Sequence, residues 1–383
     1  MKLMRLASAL LAVALLAACS STPTDKEPAE LTSFDAEKRV KEAWSYSIGD
    51  GQGNAYYRIT PAIDGEEIII ASTDGKVAVL NKTSGKRVWK ESYDLRISGG
   101  VGVASAMIFV GTADGEVVAL DRITGDIVWR KAVNSEVLGA PASDGRVVVV
   151  QTYAGDIMGL NIENGEQLWV YNTQPPRLTL RGTSSPVIIR DTAMVGLASG
   201  RLAAFNVDTG ALLWEQRISA PQGSTEIERL ADVDGRLLIS SDRRSVIATG
   251  YQGNVMAVNI ANGRPLWSKE ASSYVGPSTA LGYVFVALAD GSVTAFEDDG
   301  QGVRWSQTVL ARRELTEPAA FKGTVAVGDF DGYLHFLSQL DGRLVARTRV
   351  DSDGLRAPML VDDKLLYVYG NSGELVALKL QDR

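Results

Sequence analysis

One cysteine and one histidine stand among 383 residues. A lone cysteine excludes an internal disulfide and any cysteine-based zinc site. His335 has no second histidine with which to share a metal, and a Ser-His-Asp hydrolase is disfavoured. A basic excess is missing too. With 39 Lys+Arg against 46 Asp+Glu the net charge is −7, the wrong sign for a nucleic-acid binder. Aromatic residues are scarce at 7%. Beyond the N-terminus no apolar run approaches the ~20 residues of a membrane-spanning helix. Glycine, by contrast, is abundant at 38 residues in a chain that is 45% hydrophobic. Such a chain is either two or three ordinary domains or one repetitive one.

The N-terminus reads as an address. Lys2 and Arg5 precede an apolar run from Leu6 to Ala18 that ends in Leu16-Ala17-Ala18-Cys19. A charged start, a short hydrophobic stretch and small residues at its end describe a secretory signal. The only cysteine stands directly after Leu-Ala-Ala, which resembles a bacterial lipoprotein signal. That resemblance implies acylation of Cys19 after removal of residues 1–18. Ser20, not Asp, follows, and in enterobacterial-type lipoproteins this implies sorting to the outer membrane with the body in the periplasm. Residues 19–41 are polar, with Pro23 and Pro28, and read as a tether. Extended, such a segment reaches roughly 70 Å.

Residues 42–383 are a repeat. Asp74-Gly75-Lys76-Val77-Ala78-Val79-Leu80-Asn81, then Thr83-Ser84-Gly85, then Trp89, returns as Asp114-Gly115-Glu116-Val117-Val118-Ala119-Leu120-Asp121, Thr124-Gly125, Trp129. The leading glycines continue at 155, 200, 253, 291, 332 and 373, between 38 and 53 residues apart. A period near 40 marks a solenoid or a propeller. Each unit offers β-type runs broken by Asp-Gly, Ser-Gly, Thr-Gly or Asn-Gly turns, about four short strands, and no helical period competes. The eighth unit, from Gly373, stops at Arg383 before its Trp-bearing strand. A matching orphan, Glu42-Ala43-Trp44-Ser45-Tyr46-Ser47, lies at the other end. Joining the ends predicts an all-β ring: an eight-bladed propeller of four-stranded antiparallel blades, the last closed by the strand around Trp44.

Trp44, Trp89, Trp129, Trp169, Trp214, Trp267 and Trp305 occupy one repeat position, and Ala346 replaces the eighth. They are expected to dock blade on blade, each ring buried with its N–H on a backbone carbonyl, and the Ala346 blade is expected to pack less well.

From each such position to the start of the next blade there are 17 residues between Trp44 and Pro61, 17 between Trp169 and Pro186, 23 between Trp214 and Leu237, and 10 to 13 elsewhere. The extra chain is read as concentrated in the two consecutive connections after Trp169 and Trp214, which should emerge side by side. The first holds Pro175-Pro176-Arg177-Leu178-Thr179-Leu180-Arg181, the second Ala231-Asp232-Val233-Asp234. Exposed leucines beside a planar five-donor arginine suit a docking site for another protein. The plainer account has Leu178 and Leu180 packing under their own loop, with Asp232 and Asp234 capping turns.

The pattern Gly-x-[Val/Leu]-x-Ala-[Leu/Phe]-[Asp/Asn]-x-x-[Thr/Asn]-Gly-x-x-x-Trp resembles the repeat of pyrroloquinoline quinone (PQQ)-like propellers. With the lipoprotein signal and this length, residues 19–383 resemble the BamB family of β-barrel assembly machinery (BAM) lipoproteins. The resemblance implies an outer-membrane scaffold, periplasmic and lipid-anchored at Cys19, that assists insertion of β-barrel proteins. It also implies contact with the barrel-insertion subunit BamA, and through it the other BAM lipoproteins, by way of Leu178, Leu180, Arg181, Asp232 and Asp234, with client barrel proteins as possible further partners. Gly235-Arg236 directly after Asp234 departs from that pattern.

No catalytic residue, metal or cofactor is expected. The alternative is a PQQ-dependent periplasmic dehydrogenase, needing Ca²⁺, a catalytic Asp and chain to roof the cofactor. Asp74, Asp114, Asp290 and Asp331 all precede turn glycines and read as turn residues. A third reading, a carbohydrate-binding module on the other face, has only Tyr56-Tyr57 and Tyr93 as candidate aromatics.

Overall fold

The computed structural model describes residues 27–220, 222–362 and 364–383. The signal segment and Cys19 lie outside them. Every regular element among the described residues is a strand, and the strands form eight four-stranded antiparallel sheets. Seven sheets are built from strands consecutive in sequence, each blade running from the channel outward. The eighth combines three C-terminal strands with Lys38–Ser47 as its outermost member. The expected ring is therefore present, closed across the chain ends.

Closure is read most directly from a repeated irregularity. In each blade the outer ladder carries a bulge beside the tryptophan position, so that Trp89 opposes Val79 while Arg87 opposes Leu80 and Val88 is the extra residue. The same bulge occurs in the other six consecutive blades. It recurs in the closing strand, between Glu42 and Trp44, against Ala377 and Leu378. A bulge turns the strand and re-aims the side chain after it. Here it swings the indole onto the neighbouring blade.

What the indole meets is glycine. Gly85, Gly125, Gly165, Gly210, Gly263, Gly300 and Gly342 close the turn before the outer strand, with φ between +69° and +81°. A methyl on any of them would lie within 3.3 Å of the preceding blade's indole. Six of the indoles also donate to a carbonyl beside that turn, Trp44 to Lys82, Trp89 to Arg122, Trp129 to Ile162, Trp169 to Val207, Trp214 to Ile260 and Trp305 to Gln339, at 2.7–3.0 Å. The sequence spacing Gly-x-x-x-Trp, one residue longer from Gly300 to Trp305, thus holds both halves of a lock, each half facing a different neighbour.

Ala346 corrects the expectation of a weak blade. It is fully buried, in a cluster with Val345, Leu378 and Leu380, and Val40 packs against that cluster. Blade 8 has no third-to-fourth-strand turn, because its third strand, Glu374–Asp382, and its fourth, Lys38–Ser47, come from distant parts of the chain. An indole at 346 would find no turn glycine. The seam is held instead by a longer ladder, from Lys38↔Asp382 to Ser47↔Glu374.

The tether is shorter than its composition implied. Strand structure begins at Lys38, and residues 27–37 lie against blade 6, whose strands run between residues 278 and 307, and blade 7, between residues 319 and 349, where Leu31 joins a hydrophobic cluster and Arg343 grips Glu37. His335, read as packed or superficial, is wholly buried: Nε2 lies 2.8 Å from Asp329, and Nδ1 accepts from Arg347 at 3.1 Å. That acceptor role at Nδ1 places the proton of the neutral ring on Nε2, facing Asp329. Burial depresses the imidazole pKa against the pull of Asp329.

Two substitutions test the lock. Gly165→Ala forces a side chain into a left-handed turn and displaces Trp129, and should cost about 2–4 kcal/mol of stability in denaturant unfolding. Ala346→Trp restores the repeat consensus yet should also lower the melting temperature; a gain would contradict this account of the seam.

Candidate partner-binding site

In every blade the outermost strand ends on the rim that carries the turns between the second and third strands, so all connectors to the next blade cross that rim. The long connectors after Trp169 and Trp214 do so side by side. The first starts pinned: Thr173 Oγ1 donates to the Gly155 carbonyl at 2.7 Å, and Gly155, at φ +90°, leaves room for Thr173 and Pro175 to settle on it. The second opens with one hydrogen-bonded turn. The Glu228 carboxylate accepts from the N–H groups of Ser224 (2.7 Å) and Thr225 (3.0 Å), while Thr225 Oγ1 accepts from Glu228 N–H, a reciprocal cap.

The two connectors are joined by Asp232, whose carboxylate accepts the Leu180 N–H. Asp232 is 1% exposed. It caps no turn and offers no surface to a partner; it braces one loop on the other. Leu178 stands 42% exposed. Leu180 lines a cavity of about 410 Å³ with Tyr56, Arg58, Tyr274 and Arg356. Arg181 is exposed but not free. One guanidinium nitrogen meets Glu136 at 2.8 Å, Nε donates to the Ala55 carbonyl at 3.3 Å, and the plane sits 5.6 and 5.8 Å from the rings of Tyr57 and Tyr153. Cation–π contact on two rings fixes its direction.

Asp234 lies at the channel mouth, beside Arg58 and against Gly182, whose Cα could not carry a methyl without meeting the carboxylate at 2.7 Å. The neighbouring Gly235 is equally confined, against the backbone of Val275 and Gly276. Arg236 pairs with the buried Glu317, its Nε 2.8 Å away. All five sequence candidates therefore share one rim.

The connector from Ile48 to Pro61, as long as that after Trp169, belongs to the same site. It supplies Ala55 and Tyr57 to Arg181, sends Arg58 to the Tyr274 carbonyl at 3.1 Å, and places Tyr56 under Arg356. Length alone could have found it. Glu136 and Tyr153 gave no such signal, lying in ordinary turns.

Burial pushes the Asp232 carboxyl up to about 6, against the Leu180 N–H. Asp234 is pushed up to about 8 by burial and then by the Asp232 charge, with Arg58 opposing. Both groups bind their proton more tightly folded than unfolded. Folding therefore takes up protons from about pH 4 to about pH 8, and stability falls as pH rises through that window. Asp234→Asn should stabilise the chain by about 1–2 kcal/mol at pH 8, after allowance for partial solvent access, with the gain vanishing near pH 4. Thermal unfolding at the two pH values measures this; an equal gain at both would contradict it.

A model of the family described as outer membrane protein assembly factor BamB matches residues 15–94, 73–307 and 289–383. The outer membrane protein assembly factor BamB of Pseudomonas aeruginosa is 52% identical over 376 residues, covering 98% of each chain. The crystal structure of BamB from Moraxella catarrhalis superposes with a TM-score of 0.81 at 28% identity, over 89% of this chain and all of that one. Quinohemoprotein alcohol dehydrogenase from Comamonas testosteroni reaches a TM-score of 0.69 at 15% identity, over 89% of this chain and 76% of that one, a likeness of fold alone. On the family match and the near-complete alignment, the chain belongs to the outer membrane protein assembly factor BamB family.

Proposed function

We propose that the chain is a non-catalytic scaffold of outer-membrane β-barrel assembly. Acylated at Cys19, it sits on the periplasmic face of the outer membrane, binds BamA through the rim built on Leu178, Leu180 and Arg181, and serves client barrel proteins in that assembly. The observation that carries the site is the hydrogen bond from Leu180 N–H to Asp232, which makes one rigid patch of two connectors. A patch ordered before binding loses little conformational entropy on docking. On it an exposed leucine lies beside an arginine already oriented by two tyrosines, the pairing expected of an interface anchor. Asp232 and Asp234 act from beneath, as positioning residues.

Arg181→Glu with Leu178→Ala should weaken co-purification with BamA by at least about tenfold, on the scale of losing two anchor residues. Asp232→Ala should weaken it too, through the loosened loop, whereas Leu281→Ser, an exposed residue on the opposite rim, should not. Undiminished capture by the double variant removes this site. Anchoring has its own test: Cys19→Ser should move the protein from the membrane to the soluble fraction.

A further inference from the structure

Residues 27–37, Glu-Pro-Ala-Glu-Leu-Thr-Ser-Phe-Asp-Ala-Glu, hold little apolar surface of their own. They are nonetheless fastened along their length, chiefly by main-chain groups. Glu37 N–H donates to the Val345 carbonyl at 3.0 Å, and its carboxylate takes two donors from Arg343 at 2.8 and 2.9 Å. Arg347 donates to the Thr32 carbonyl at 2.9 Å while lying 5.0 Å from the Phe34 ring. Leu31 enters the cluster between blades 6 and 7 that holds Phe285, Trp305 and Leu337. Ala29 N–H donates to the Ala311 carbonyl at 2.9 Å, and its own carbonyl accepts from Arg313 at 3.0 Å. Arg312 Nε finally donates to the Glu27 carbonyl at 2.6 Å.

The direction of this strap matters. Glu37 lies beside Arg343, in a turn on the rim opposite the binding patch. Glu27 lies beside Arg312, in the connector between blades 6 and 7, on the same rim as Leu178 and Arg181. The strap therefore carries the N-terminal exit of the body from one rim to the other. Without it the leash would run 19 residues from Lys38 to Cys19, roughly 65 Å at full extension, and either rim could face the lipid. With it the leash is 8 residues from Glu27, at most roughly 28 Å. At that length the leash barely exceeds the height of a blade, about 20 Å before loops are added, so it holds the Glu27 rim nearer the lipid than the opposite rim.

We infer that the strap makes the binding rim the membrane-facing side of the ring, so that the bilayer surface and the patch around Arg181 bound one narrow layer in which a partner domain is held. The inference rests on the lipid-anchor reading. It assigns the strap an orienting role rather than a share in partner recognition.

The acylated full-length protein, reconstituted in phosphatidylethanolamine–phosphatidylglycerol vesicles that carry a headgroup acceptor dye, tests it. Acylation consumes Cys19, so an introduced cysteine is the only free thiol for a donor dye. Donors at Ser352→Cys and Asp94→Cys report the binding rim; donors at Leu340→Cys and Thr83→Cys report the opposite rim of the same two blades. Transfer to the membrane should be several-fold greater from the first pair. In a Leu31→Ser, Phe34→Ser, Arg312→Ala, Arg343→Ala background, which removes the apolar contacts and the arginine clasps at both ends of the strap without touching the patch, that difference should collapse while vesicle flotation persists. Equal or reversed transfer from a protein that floats with its vesicles overturns the orientation alone. Failure of the wild type to float overturns the anchoring, and the orientation with it. A rim difference that survives the strap variant also overturns the proposal, since something other than the strap would then set the face.

Discussion

The ring depends on an indole lying on a glycine. Each interblade joint places a tryptophan from one outer strand over the turn glycine of the next, where φ near +70° and the absent Cβ make room for the ring, and in six of the seven such joints the indole N–H also reaches a carbonyl beside that turn. Glycine gives the turn its handedness and the ring its seat in one atom's absence. The bulge before each tryptophan supplies the third component, aim. Because glycine and tryptophan share one hairpin, four residues apart or five at Gly300 and Trp305, six blades are both lock and key, and these propagate around the ring without further instruction. The arrangement fails at one joint only, where the chain ends meet and no hairpin turn exists to receive a ring. Alanine at 346 follows from that topology.

A scaffold held this rigidly turns connector length into geometry. Connectors leaving equivalent strand ends cross the same rim, and two long ones in succession cannot avoid each other. The added chemistry is modest: the Asp232 carboxylate accepts one N–H from Leu180 and is buried in doing so. Burying a carboxylate on a single hydrogen bond is costly, as its raised proton affinity records. Stability is given up locally, and the loop bearing Leu178 and Arg181 is held in one position. Such a trade is expected where a surface must be ready before its partner arrives.

Much of this was legible in the sequence. The period near 40 and the orphan strand around Trp44 specified the blade count, because a repeat must be whole to close. The rim was legible through connector lengths. Three features were not. Asp232 reads as a surface acid, and nothing in Asp-Val-Asp reveals that an amide 52 residues away will claim it. Arg181 reads as a free donor head, although Glu136, Tyr57 and Tyr153 reach it from three separate parts of the chain. The strap reads as linker because the contacts that hold it fall largely on carbonyls and amides, which every residue has. Hydrophobic pattern and composition are blind to main-chain recognition.

The N-terminal departures from the repeat, residues 27–61, form one continuous stretch. Residues 27–37 strap blades 6 and 7, Lys38–Ser47 closes the ring, and the following connector crosses the rim to set Ala55 and Tyr57 against Arg181 and Arg58 against Tyr274. The seam strand is thus a shared support, bonded along its length to the C-terminal strand, with the strap joined at one end and a wall of the docking patch at the other. Opening the seam would withdraw that wall, which hangs on the ladder from Lys38↔Asp382 to Ser47↔Glu374, while the strap would still hold to blades 6 and 7. A closure built from two distant parts of the chain lacks the turn that links the other outer hairpins. Its longer ladder, its strap and its buried alanine are the compensations that let the one irregular blade carry the features that the seven regular ones, by their sameness, do not.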